Sequence, residues 1–193
     1  MTAYLRQFGT AFRFLAVATV LLGVFYPLVM FGVGQAVASA QANGSIARLN
    51  GQPAASTLLV QAVPETETRF FFPRPSAVKW DSTTSGASNL GPSDPALSKA
   101  ESAARAAVAA REGVAESAVP LDAVTASGSG LDPDISPAYA ELQVPRVAKG
   151  TGLSADDLRK MVSEATSNPV LSLLGQPAVN TTKLNLAIAA RLK

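Results

Sequence analysis

From Phe14 to Ala47 this chain carries no charged side chain, and the first part of that run, Phe14 to Val37, is almost wholly apolar. A stretch of about 24 residues reaches roughly 36 Å as a helix at ~1.5 Å per residue, enough to cross a hydrocarbon core of about 30 Å with some tilt. Its Leu, Val and Phe side chains each favour insertion by roughly 0.3–0.6 kcal/mol near the bilayer centre. The competing reading is a cleaved signal peptide, with Arg6 and Arg13 as its basic start and Ala38-Ser39-Ala40 as the cleavage site before Gln41. The apolar core of a signal peptide usually runs about 7–15 residues, so length selects an uncleaved anchor. Pro27 is compatible with a span, because neighbouring helices or local rearrangements satisfy the freed backbone groups, and a proline in a lone span points to protein neighbours.

Orientation follows from the flanks. Arg6 and Arg13 precede the apolar run and only Arg48 follows nearby, so the positive-inside rule puts the N-terminus in the cytoplasm and everything after Val37 outside. The expected organisation is a cytoplasmic segment 1–13, a transmembrane helix 14–37 and one extracytoplasmic domain 38–193.

Charge and composition narrow the function classes. Residues 1–50 hold three of the 16 basic residues and none of the 14 acidic ones, leaving 13 basic against 14 acidic beyond them. The pI near 9.1 therefore reflects the membrane end, and no clustered basic patch of the kind nucleic acid requires is visible. With zero His and zero Cys, neither a Ser-His-Asp nor a Cys-His nucleophile system can be assembled, nor a zinc site of the usual His/Cys type. No G-x-x-x-x-G-K-[ST] phosphate loop is present either. A stand-alone enzyme is disfavoured, and no metal site is expected.

After the span the pattern is α+β. Ile46 to Leu49, Asn50-Gly51 and then Leu58-Leu59-Val60 suggest a hairpin, because Asn-Gly supplies the positive φ angles of a tight turn. Pro53 is expected to delay the second arm. Residues 64–94, rich in Pro, Gly, Ser, Thr and Asn, read as irregular, with Phe70-Phe71-Phe72 needing apolar cover. A helix is expected from Pro95 to Glu112, capped by Asp94 and stopped by Gly113. Val119 to Val124 reads as a strand. Further helices are expected from Ser136-Pro137 to Lys149, kinked at Pro145 and stopped near Gly150, then after Ser154 with Leu158, Met161, Val162 and Ala165 on one face, and after Asn180 with Leu184, Ala187 and Ile188.

Two polar stretches stand out. In Ser127-Gly128-Ser129-Gly130-Leu131-Asp132-Pro133-Asp134-Ile135-Ser136, the glycines permit close backbone approach, and successive N–H groups could form an anion nest. A calcium reading fails, because the EF-hand template needs Gly where Pro137 falls and Glu where Gln143 falls. The plainer reading is a tight connection that begins the helix at Pro137. The loop from Ser85 to Pro95, with Ser88, Asn89 and Gly91, is likewise a binding loop or a self-bonded series of turns. The acidic residues Glu65, Glu67, Asp81, Asp132 and Asp134 have no spacing that implies a paired-carboxylate site.

On these same stretches the chain resembles KdpC, the C-subunit family of the Kdp potassium-transporting ATPases, over essentially its whole length. The matching features are the span with Tyr26-Pro27, then Gly44-Ser45, Phe72-Pro73-Arg74-Pro75-Ser76 and the run Ser85 to Pro95. They continue with Val124 to Pro137, Gln143-Val144-Pro145-Arg146-Val147-Ala148, Val179-Asn180 and Leu184-Asn185-Leu186-Ala187. The chain departs from the family where it reads Ala165-Thr166-Ser167 in place of a His-Thr-Glu element, and Pro177-Ala178-Val179-Asn180 in place of Pro-Arg-Val-Asn.

The resemblance implies an accessory subunit of a high-affinity, ATP-driven potassium uptake complex in the bacterial inner membrane. Its partners would be a channel-like potassium-binding subunit, a P-type ATPase subunit and a small Kdp membrane subunit. The chain lacks an Asp-Lys-Thr-Gly phosphorylation motif and a Thr-Val-Gly-Tyr-Gly-like filter, in keeping with neither role being its own. The family is described as needed for assembly and as a catalytic chaperone that raises the ATPase subunit's nucleotide affinity, with a glutamine matching Gln143 contacting nucleotide. ATP would then be reached through the partner, and no tightly bound cofactor is expected. An extracytoplasmic domain conflicts with that contact and favours assembly and bracing. The alternative is an exported, membrane-anchored solute-binding module acting alone, with its solute held by the loops at Ser88, Asn89 and Gly91 and at Ser127, Gly128, Ser129, Gly130 and Asp132. A pilus-like subunit is disfavoured, because its helix would carry an acidic residue and here the first acid is Glu65.

Overall fold

The computed structural model describes residues 2–168 and 175–192. The chain divides into two compact units, Met1–Ser45 and Ile46–Lys193.

The first unit is helical. Helix α1 (Thr2–Val20) runs into a π-turn at Leu21–Phe25 and continues as α2 (Tyr26–Val37). The stretch Ala3–Val37 is long and apolar enough to cross a membrane, with a mean hydropathy of 2.3 and none of its apolar window buried. The π-turn sits just before Pro27, whose ring would press on the carbonyl four residues back in a regular helix. Widening the turn relieves this, and the N–H of Tyr26 reaches back to the carbonyl of Leu21. The helix breaks at Ala38 (φ −144°, ψ 51°) and a single turn, α3 (Ser39–Ala42), follows. Asn43 fastens this elbow by donating to Gln35 Oε1 at 3.0 Å and to the Ser39 carbonyl at 2.7 Å. Gly34 leaves room for Ala42, whose Cβ would lie 3.6 Å from any Cβ at that position.

The second unit opens with the expected hairpin, β1 (Ile46–Leu49) against β2 (Gln52–Ser56). Asn50 (φ 52°) and Gly51 (φ 80°) make its tight turn. The second arm is not delayed by Pro53, which pairs with Arg48 beside an irregularity in the register. An edge strand tolerates a proline there because the N–H it lacks would have faced away from the partner. Leu58-Leu59-Val60 lie past the hairpin: Val60 is buried and donates its N–H to the Leu131 carbonyl at 2.9 Å.

Helix α4 (Pro95–Glu112) has the expected bounds, with Asp94 accepting from the Ala96 N–H and Gly113 left-handed at φ 69°. Val119 to Val124 is not a strand. It follows one 3-10 turn, Glu116–Ala118, and contains another, Leu121–Ala123, and Val119, Ala123 and Val124 are buried in the core.

Helix α5 (Pro137–Thr151) is capped by Ser136, contains Pro145 and ends at left-handed Gly152 (φ 77°), so it passes the expected stop at Gly150. Gly150 serves a different purpose: a Cβ there would come within 2.7 Å of the Thr68 carbonyl oxygen. Helix α6 (Ala155–Glu164), capped by Ser154, buries Leu158, Met161 and Val162. Helix α7 (Thr181–Arg191), capped by Asn180, buries Leu184 and Ile188 while Ala187 faces out.

A small antiparallel sheet was not expected. β3 (Asp134–Ile135) and β4 (Thr166–Ser167) flank the central β5 (Ala178–Asn180). Around it one hydrophobic core gathers Phe71, Ile135, Tyr139, Val144, Val147, Leu158, Val179, Leu184 and Ile188 with residues of α4 and the 3-10 turns. The class is α+β, one apolar N-terminal helix and one domain of helices with small sheets.

Candidate functional site

The two loops singled out by sequence are brought together and bonded to each other. The Gly86 N–H and the Ser85 hydroxyl both donate to the Ser129 carbonyl, at 2.9 and 3.1 Å. Ser76 Oγ donates to the Gly130 carbonyl at 2.8 Å, and the Ser127 N–H to the Pro75 carbonyl at 3.1 Å. Gly130 is required: at φ 72° its Cβ would lie 2.5 Å from Val78 Cγ2 and 2.8 Å from the Gly86 oxygen.

Several of the N–H groups that an anion nest would use are already engaged. The N–H groups of Gly130 and Leu131 are taken by the hydroxyls of Ser127 and Ser129, at 2.8 and 3.1 Å. That of Asp134 is taken by Asp132 Oδ1 at 3.0 Å. Asp132 also meets Arg74 at 3.3 Å. Of the candidate residues in these loops, Ser88, Asn89 (φ 54°), Gly91, Gly128 and Ser129 are exposed. Asp122 is engaged as well, accepting from the Ser136 N–H at 2.7 Å and its hydroxyl at 2.8 Å. Among the described residues no group of three acidic side chains is placed to hold a metal.

Gln143 lies in the interior, with no exposed surface. Its Oε1 accepts from the Phe72 N–H at 2.7 Å and from Arg146 Nη2 at 2.8 Å, and its Nε2 donates to the Phe72 carbonyl at 3.1 Å. Asn185 on α7 treats the preceding residue the same way, accepting from the Phe71 N–H at 2.8 Å and donating to its carbonyl at 2.9 Å. Two carboxamides thus stand in for neighbouring strands along the Phe71-Phe72 backbone, which belongs to no sheet. Arg146 extends the clamp, donating to the carbonyls of Thr68 and Phe70 at 3.0 and 2.9 Å.

Beside Gln143 stands a cluster that sequence reasoning missed. Glu112, whose side chain has no exposed surface, receives Arg111 Nε at 2.7 Å and Arg146 Nε at 3.0 Å. Both guanidiniums lie over the Phe72 ring, 3.9 and 4.8 Å from its centre, a geometry that favours cation–π attraction. Arg111 also donates to the Tyr139 hydroxyl at 2.8 Å. Burial pushes the Tyr139 phenol up from its ordinary value, with Arg111 opposing, and pushes the Arg146 guanidinium down, with Glu112 opposing. The part legible in advance was Tyr139, Gln143 and Arg146, at i, i+4 and i+7 on one face of α5. Nothing local linked them to Arg111 and Glu112.

The cluster forms the wall of a cleft of about 720 Å³ bordered by Glu65, Glu67, Thr68, Arg111, Arg146 and Lys149. The charges largely neutralise one another, and no nucleophile stands beside a base. Such an arrangement holds backbone segments in place, and its solvent-facing members can meet a partner.

A family profile described as "KdpC: K+-transporting ATPase, c chain" matches residues 8–190. A "Potassium-transporting ATPase KdpC subunit" of Kineococcus radiotolerans is 48% identical over 97% of this chain and 95% of its own length. A subunit of the same name from Sorangium cellulosum is 46% identical over 97% and 98%. One from Caldanaerobacter subterraneus is 42% identical over 94% and 93%. The match takes in both the apolar helix and the clamped domain, and the chain belongs to the KdpC family, the c chain of the potassium-transporting ATPases.

Proposed function

We propose that this chain is the accessory, non-catalytic subunit of an ATP-driven, high-affinity potassium uptake complex in the bacterial inner membrane. In this reading the apolar helix stays in the bilayer with its N-terminus cytoplasmic, and the domain lies outside, bracing the channel-like potassium-binding subunit, the P-type ATPase subunit and a small membrane subunit. The observation that carries it is the family match across residues 8–190. Three features support the non-catalytic part: zero His and Cys, the lack of phosphate-loop and phosphorylation motifs, and a polar cluster spent on internal bonds.

An effect on the ATPase subunit's nucleotide affinity follows, in this reading, from assembly. Direct contact of Gln143 with nucleotide would require its bonds to Phe72 and Arg146 to break, and the buried amide groups left behind would lose their partners at a cost of about 1–3 kcal/mol each.

The test is purification of the detergent-solubilised complex with and without this chain, followed by potassium-dependent ATPase assay. The expected result is a co-purifying P-type ATPase and polytopic partner whose activity needs this chain. A chain that leaves the extract alone would favour the solitary solute-binding module. Topology is checked by fusing a reporter enzyme active only outside the cytoplasm after Lys193. Silence of that fusion, with a cytoplasmic reporter active in its place, would invert the domain and restore the nucleotide contact.

A further inference from the structure

The π-turn changes the hydrogen-bond balance of the span at one place. In an α-helix a carbonyl accepts from the N–H four residues on, and in a π-turn from the one five residues on. Here the Tyr26 N–H goes to Leu21, so the Leu22 carbonyl loses its α-type donor. Its π-type donor would be residue 27, a proline without an N–H. The same proline deprives the Gly23 carbonyl of its α-type donor, but Gly23 keeps a π-type one in the Leu28 N–H, so Leu22 is the carbonyl that loses both. The polar side chains of the span are Thr19, Tyr26 and Gln35, and Gln35 is engaged with Asn43.

The site is also open. Gly23 has no side chain, and a Cβ there would meet Thr19 Cγ2 at 3.9 Å and nothing nearer beyond the helix's own backbone. Thr19, Gly23 and Pro27 follow at four-residue steps, which the wider π-turn keeps on one helix face. Small residues on such a face let a second backbone approach closely. Lipid chains carry no donor, and a carbonyl left unpaired in hydrocarbon costs several kcal/mol.

We propose that the Leu22 carbonyl forms an acceptor site for a hydroxyl or carboxamide side chain on a transmembrane helix of another subunit, packed against the Thr19–Gly23–Pro27 face. A neutral donor fits, since the span offers no acid to balance a cation. The site rests on the reading of Phe14–Val37 as a retained anchor, and its occupant supplies what the proline removes.

Two substitutions in the membrane-assembled complex test it. Pro27→Ala gives residue 27 an N–H that the Leu22 carbonyl can use, and Gly23→Leu covers that carbonyl. Each is expected to lower retention of this chain on the detergent-solubilised complex by about threefold to thirtyfold, the range of an interhelical hydrogen bond. Gly9→Leu and Gly32→Leu, at glycines with nothing within 4 Å, are the controls and are expected to leave retention unchanged. Wild-type retention by both test variants overturns the proposal. Loss with Gly23→Leu alone also overturns it, because close packing without a donor makes no demand on residue 27. Carbonate extraction of the wild-type chain separates the two layers: release from the membrane refutes the anchor, whereas an extraction-resistant chain whose test variants are both retained refutes the acceptor site alone.

Discussion

Gln143 shows how much one side chain can organise. It is fully buried, and its amide satisfies both backbone groups of Phe72 while holding Arg146. Gln143→Ala is expected to destabilise the protein by about 2–4 kcal/mol, since it leaves buried backbone groups unpaired as well as a void. Thermal unfolding of the purified chain checks this, and an unchanged midpoint alongside a specific nucleotide-affinity defect would reassign the residue to nucleotide.

Two carboxylates respond to pH in opposite senses. Glu67 is held at about 2, chiefly by its hydrogen bonds from Arg69, so its contribution is present above the ordinary carboxylate range and is lost as pH falls toward 2. Asp134 is raised by burial and by the neighbouring Asp132, so its contribution is present at low pH and is lost as pH rises through its folded value. Asp134→Asn, which mimics the protonated form, is therefore expected to raise the thermal midpoint at pH 7. The gain should vanish as pH falls below the carboxylate range, and a pH series of unfolding curves reads both limits.

At the scale of elements, the helices were legible because their signals are local. Asp94-Pro95, Ser136-Pro137, Ser154 and Asn180 each cap the helix that follows, and each cap accepts a backbone N–H as its residue type requires. The three-stranded sheet was not legible. Strands of two or three residues are too short to show alternation, and their pairing joins Asp134 to Asn180, 46 positions further along the chain. The stop of α5 was misplaced for a related reason. Gly150 looks like a helix end but is a contact residue against Thr68, while Gly152 takes the left-handed position. Gly150→Ala is expected to cost about 1–3 kcal/mol by overpacking against a backbone carbonyl. Gly152→Ala is expected to cost about 1–2 kcal/mol through the left-handed conformation. Thermal midpoints of the two variants compare these costs, and a neutral Gly150→Ala would show that the Thr68 segment yields.

For the whole molecule, the division at Ser45 separates an apolar helix from a domain that holds every residue of the hydrophobic core. A fragment of residues 46–193 is expected to unfold cooperatively on heating while losing its association with the membrane complex. A broad, non-cooperative transition would show that the helix contributes to folding.

A helix long and apolar enough to cross a membrane, the charge balance and the lack of His and Cys could all be read from the chain. They depend on length, composition and missing residue types, which no folding step alters. The capped helices and the Asn50-Gly51 turn were equally readable, since each is specified within a few bonds. The clamp on Phe71-Phe72, the Glu112 cluster and the mutual bonding of the two loops depended on folding. Gln143 and Phe72 lie 71 positions apart, and Arg146 and Glu112 lie 34 apart. A polar side chain is much the same in composition whether it faces water, a ligand or its own backbone. Packing alone, by closing those distances and excluding solvent, selects the partner.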